Sequence, residues 1–304
     1  MSGRRRSALA GKADRALVRM LVAVAAAGLL TSACAGSSAG SSSPGAATSP
    51  VPVPSTATST PTTPSATGSP SPTGSGSTGS PSSGKPLAGK VVGVDPGHNG
   101  LNYAYPAIID RQIWNGRELE NCNTTGTETD SGYTEAQFNF NVATYLAADL
   151  RADGARVVLT RTNNHGVGPC VNRRAQIIDQ SHANVAIDIH ADGGPAWGRG
   201  FTVLEPVADG PNDKIISAAL RFGSYVRTAF LTDTPMQESD YYGHNGTIFR
   251  DNLAGLNLTT VPEVLIECGN MRNATDARLL TSPAVQRQIA GALQAAIIRF
   301  LAGR

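Results

Sequence analysis

Lys90-Val91-Val92-Gly93-Val94-Asp95-Pro96-Gly97-His98 is the stretch whose reading decides the fold. Its β-branched start reads as a strand from Lys90 to Val94, and Asp95-Pro96-Gly97-His98 supplies the turn residues that stop it. The same grammar recurs downstream. Arg156–Thr160, Val185–His190, Gly200–Leu204 and Val264–Glu267 are further short β-branched runs. Between them lie helical patterns. Thr134 to Asp153 places Phe138, Val142, Tyr145, Leu146 and Leu150 at a mostly three-to-four spacing. Thr134 and Gln137 form a capping box for it, and Gly154 is its stop signal. Val171 to His182, Asp213 to Phe230 and a segment opened by Ser282-Pro283 and running to Leu301 read as helices too. Strands alternating with helices imply an α/β fold. We expect a single domain with a central, twisted, mixed or mostly parallel sheet flanked by helices.

The rest of the chain is of a different kind. From Gly36 to Ser83 the sequence contains only Ser, Thr, Pro, Gly and Ala, apart from Val51 and Val53. Such a stretch cannot bury enough apolar surface to offset its ordering entropy, so residues 36–86 are expected to be a disordered tether. Residues 87–304 are left to form the folded domain, enough chain for a substantial core. Residues 1–19 hold six of the 25 basic and one of the 23 acidic side chains. The remaining 19 basic and 22 acidic residues leave a net −3 downstream, which removes the electrostatic support that nucleic-acid binding needs.

That basic start is followed by an apolar run from Met20 to Leu30. About eleven residues are too few to span a bilayer, which takes roughly 20, but they suit the h-region of an export signal. Leu30-Thr31-Ser32-Ala33-Cys34-Ala35 resembles a lipobox, in which Cys34 is acylated; ordinary cleavage at an A-x-A-type site, Ala33-Cys34-Ala35, is the competing reading. Either way residues 1–35 form a signal that takes the protein out of the cytoplasm. Its expected place is the cell envelope, lipid-anchored on the outer face of the plasma membrane or else freely secreted.

Three of the strands end in metal-competent residues. His98 ends the first, His190 ends Val185–His190, and Glu267 ends the last. In open α/β sheets ligands bind outside the carboxyl ends of the strands, so these side chains are aimed at the usual cleft. Glu135, in the first turn after the Thr134 cap, points outward at a helix N-terminus that favours a carboxylate. Two His and one Glu form a familiar catalytic zinc set that leaves a position for water. His165, His182 and His244 fall in loops or near a helix end and read as solvated.

From Lys90 onward the chain resembles the zinc-dependent N-acetylmuramoyl-L-alanine amidases of the amidase type 3 family. The resemblance rests on four pieces in order: Val92–Gly100, Gly132–Glu135, Asp188–Asp192 and Pro262–Asn270. It implies one zinc ion per chain held by His98, Glu135 and His190, with Glu267 as the catalytic carboxylate. It also implies cleavage of the amide between the lactyl group of N-acetylmuramic acid and L-Ala of the stem peptide. Substrate contacts are expected from Asn99, Asp192, Arg250, Asn252 and Asn257, and the long segment from Leu101 to Ser131 reads as a lid or binding loop. Cys268 reads as buried filling. With Cys34 in the export signal, Cys122 and Cys170 are left as a loop pair, which relatives of this type also carry, and they are expected to form a disulfide after export. Peptidoglycan or soluble muropeptides are the expected partners, the membrane is met only through Cys34, and the protein is expected to be a monomer. Two other functions stay open at this point: a wall-binding lipoprotein with a zinc site and no turnover, and a zinc carboxypeptidase acting on the stem.

Overall fold

A computed structural model describes residues 84–303. The expected export signal, Cys34 and almost all of the expected tether lie outside the described residues. In chain order, β1 (Val91–Pro96) is followed by the short helix α1 (Pro106–Ile109) and a small antiparallel hairpin of β2 (Gln112–Trp114) and β3 (Leu119–Asn121). Then come α2 (Glu135–Ala152), β4 (Arg156–Leu159), α3 (Val171–Gln180), β5 (Val185–Asp192) and β6 (Thr202–Pro206). The chain continues through α4 (Ile216–Asp233), β7 (Thr247–Arg250), α5 (Ala254–Leu258), β8 (Glu263–Asn270), α6 (Ala274–Leu280) and α7 (Pro283–Leu301).

Six strands make one sheet in the order β4-β1-β5-β8-β6-β7. All neighbours run parallel except β6, which is antiparallel to β8. Helices α2, α4 and α7 pack over one face, where Val92, Val94, Phe138, Val142, Leu146, Phe222, Leu293 and Ile297 form the main core. The spacing of Phe138, Val142, Leu146 and Leu150 along α2 puts all four on the buried face. Burying each such side chain is worth roughly 1.5–3 kcal/mol. A smaller cluster of Ile178, Ala186 and Val261 seats α3 on the opposite face. No helix among the described residues is long and apolar enough to cross a membrane.

Three expectations need correction. Strand β1 does not stop at Val94: Asp95 and Pro96 still pair with Asp188 and Ile189 of β5. Asp95 tolerates that position because Thr160 and Arg174 bond its carboxylate. The segment from Leu101 to Ser131 is not a bare loop, since it carries α1 and the hairpin. At the start of α2 only half a capping box forms. The Thr134 hydroxyl accepts from the Gln137 N–H at 3.3 Å, but the Gln137 side chain turns to Asn141 and Asn164 instead of reaching back.

Candidate metal centre

The turn after β1, the end of β5, the middle of β8 and the start of α2 bring the site together; Glu267, expected at the end of the last strand, lies inside β8, which runs on to Asn270. His98 lies two residues past β1, in the left-handed region at φ 58°. Its backbone is held there by buried guanidinium groups. Arg174 donates to His98 O at 2.6 Å, and Arg161 donates to Gly97 O at 3.2 Å and Ala136 O at 2.8 Å. Gly97 is required because a Cβ at this position would come 2.1 Å from His190 Nε2. Glu135, the first residue of α2, is only 4 % exposed and sits between two imidazoles. His98 Nε2 is 3.0 Å from its Oε2, and His190 Nδ1 is 2.8 Å from its Oε1. One nitrogen or oxygen atom from each residue lies within 4.8 Å of the others.

The far side of each ligand candidate also meets a polar group. His98 Nδ1 donates to Thr124 O at 3.1 Å, which leaves Nε2 as the lone-pair nitrogen. His190 Nε2 faces Asp188 Oδ1 at 3.4 Å, which leaves Nδ1 for the centre. Glu135 accepts from the N–H groups of Thr127 at 3.0 Å and Ala191 at 3.2 Å. Ligand candidates oriented from behind in this way are what a metal site requires. Burial alone would raise the Glu135 carboxyl, but the two imidazoles hold it well below the usual range. Burial would lower His190, yet Asp188 and Glu135 raise it well above an ordinary histidine.

Glu267 of β8 is paired in register with His190 of β5. Its Oε2 is buried and has no hydrogen-bond partner among the described residues. Burial, reinforced by Glu135 and Asp192, pushes this carboxyl well above its ordinary value against the opposing pull of His190. A cleft of about 360 Å³ joins His98, Glu135, His190 and Glu267 with Asp192 and Arg250.

The expected substrate contacts divide. Asp192 lines the cleft just after a bulge in β5, its Oδ2 accepting from the Tyr241 hydroxyl at 2.7 Å. Arg250 lines it too, held by Tyr242 and by Asn252 Oδ1 at 2.9 Å. Asn252 therefore stands behind Arg250. Asn99 and Asn257 are buried and hydrogen-bonded within the frame, Asn99 to Arg174 and Asn102, and Asn257 to Asp251 O. Cys122 and Cys170 are joined in a disulfide, and Cys268 is a buried free thiol. His165, His182 and His244 are exposed. Sequence reading missed Arg161, Arg174 and Asp188. Arg161 follows a strand end, the same signal that singled out His98, and Asp188 lies two residues before His190 and so on its face of the strand.

The α/β sheet and the start of α2 thus gather two imidazoles and two carboxylates around one cleft, three of them placed so that they could hold a metal ion. The chain belongs to the N-acetylmuramoyl-L-alanine amidase family (amidase type 3), whose profile matches residues 92–299. It is 39 % identical over 223 residues to the N-acetylmuramoyl-L-alanine amidase Rv3717 of Mycobacterium tuberculosis, covering 71 % of this chain and 88 % of that protein. The crystal structure of the amidase Ami1 from Mycobacterium smegmatis superimposes with a TM-score of 0.68 at 38 % identity, covering 72 % of this chain and 99 % of that one. Ami1 from Mycobacterium abscessus, in its apo form, gives 0.67 at 37 % identity and covers 71 % of this chain and 100 % of its own. The chain is thus an N-acetylmuramoyl-L-alanine amidase.

Proposed function

We propose that this chain is an exported peptidoglycan hydrolase that cleaves the amide between the lactyl group of N-acetylmuramic acid and L-Ala of the stem peptide. One zinc ion per chain would be held by His98 Nε2, Glu135 and His190 Nδ1, a donor set whose size and N/O chemistry fit that metal. Zinc in such a site supplies a Lewis acid for the attacked carbonyl and renders water acidic. Glu267 takes the proton of the attacking water and returns it to the departing nitrogen. A carboxyl held above its ordinary value suits both duties. Arg250 and Asp192 would orient the substrate from the cleft wall, and the two buried arginines keep the His98 backbone in place.

The observation that carries this reading is a buried Glu267 oxygen, without a partner among the described residues, beside three converging side chains that could hold a metal ion. Residues 1–35 would direct export, with Cys34 as the acylated residue, residues 36–86 would be the tether, and residues 87–304 would act as a monomer on wall or muropeptide. The purified protein should be incubated with peptidoglycan and the new end groups identified. A free L-Ala amine without new reducing sugar supports the proposal. Release of a stem amino acid would make it a carboxypeptidase, and no release would leave a wall-binding protein.

A further inference from the structure

A cavity of about 150 Å³ lies beside the metal centre, with the His98 and His190 rings in its wall. Leu253, Leu256 and Leu265 line part of it, and three carboxylates, Asp95, Glu120 and Asp188, line another part. The guanidinium in this wall, from Arg174, is already committed. It pairs with Asp95 and donates to Pro96 O at 2.8 Å, His98 O at 2.6 Å, Asn99 Oδ1 at 2.7 Å and Pro169 O at 3.2 Å. Asp95 and Arg174 offset each other, and Glu120 and Asp188 remain. Asp188 touches His190 Nε2, a ring that is neutral when it ligates a metal.

Three side-chain atoms here want a partner, Asp188 Oδ1 among them. Glu120 Oε1 is buried with no hydrogen bond among the described residues. So is Nδ2 of Asn123, a residue 5 % exposed whose Oδ1 is already taken by the Thr124 N–H at 2.8 Å. An acceptor and a donor buried without partners are costly, and the cost is relieved by a group that offers the reverse. Such a group carries a cation and, close beside it, a carbonyl or carboxylate. The leucine wall adds room for methylenes.

We propose that this cavity is a subsite for an amino-acid head group on an aliphatic stem. Its ammonium faces Glu120 and Asp188, its acceptor meets the Asn123 N–H, and its methylenes lie along Leu253, Leu256 and Leu265. In a peptidoglycan stem that chemistry is the free end of a diamino acid side chain, so the inference rests on the amidase reading and makes it specific. Burial raises the Glu120 carboxyl, a penalty that an ammonium partner removes.

The test uses the zinc-loaded full chain and two muropeptides that differ only in N-acetylation of the diamino acid side chain. A charged hydrogen bond of this kind corresponds to roughly tenfold in kcat/KM. The free-amine substrate should therefore be preferred by about that factor. Glu120→Gln should cancel the preference by raising KM for the free amine while leaving the acetylated substrate unchanged. Equal kcat/KM for the two substrates with the unaltered chain overturns the subsite, with the amidase reading intact. Cleavage of neither, with zinc bound, overturns the amidase reading itself and the subsite with it.

Discussion

Glu135 is a buried carboxylate and Glu267 a half-buried one with a single buried oxygen, both beside His190, yet their surroundings differ sharply. Glu135 is saturated by two imidazoles and two backbone N–H groups, whereas one oxygen of Glu267 has no partner among the described residues. Glu267→Gln should keep its metal and lose turnover by about 10²–10⁴-fold, the usual contribution of general acid–base catalysis. Glu135→Ala should lose metal and turnover together. A metal assay run beside an activity assay separates the two, and loss of zinc from Glu267→Gln would make that residue a ligand. Asp188 acts one bond further out, through the orientation of His190. Asp188→Ala should weaken zinc binding about 10–100-fold in a chelator competition, and Asp188→Asn, which keeps an acceptor, should recover most of it. The positions of His98 and His190 at or near strand ends were legible because turn signals and apolar runs bracket them, whereas Glu267 lies inside a strand that runs on to Asn270. Asp188 shares a strand face with His190, but that placement does not by itself say that its carboxylate meets the ring.

At the scale of elements, legibility followed length. Helices α2 and α7 carry enough turns to display their period, while α5 and the edge strand β7 have five and four residues and show none. The disulfide ties the end of the hairpin segment to the start of α3 across a separation of 48 residues. Replacing both Cys122 and Cys170 by Ser should cost roughly 3–4 kcal/mol by the chain-entropy account. Denaturant titration under oxidising conditions checks this, and an unchanged midpoint would contradict it. A second liability lies between β6 and α4. Glu205 is 8 % exposed, its side chain lies against Gly223, and burial raises its carboxyl to about 6. Because the folded form holds its proton more tightly than an ordinary carboxylate, stability falls as pH rises from about 4.5 to about 6 and stays low above that. Glu205→Gln should therefore stabilise the protein by roughly 1–2 kcal/mol at pH 8 and by nothing at pH 4. Melting curves at the two pH values decide it, and equal shifts at both would refute the account.

For the whole molecule, the mixed sheet was readable from alternation alone, but the reversal of β6 was not, since direction leaves no trace in a strand's own residues. What the completed sheet does for the site is mechanical. His190 and Glu267 occupy paired positions on neighbouring strands in the middle of the sheet, so the strand spacing of about 4.8 Å sets the gap between the two residues. Heat cannot widen that gap by degrees. The catalytic geometry persists until the central strands part, and then it goes all at once. With zinc in excess, the temperature at which activity collapses should coincide within a few degrees with the loss of near-ultraviolet circular dichroism. Inactivation well below that transition would mean that the turn carrying His98 yields before the sheet does.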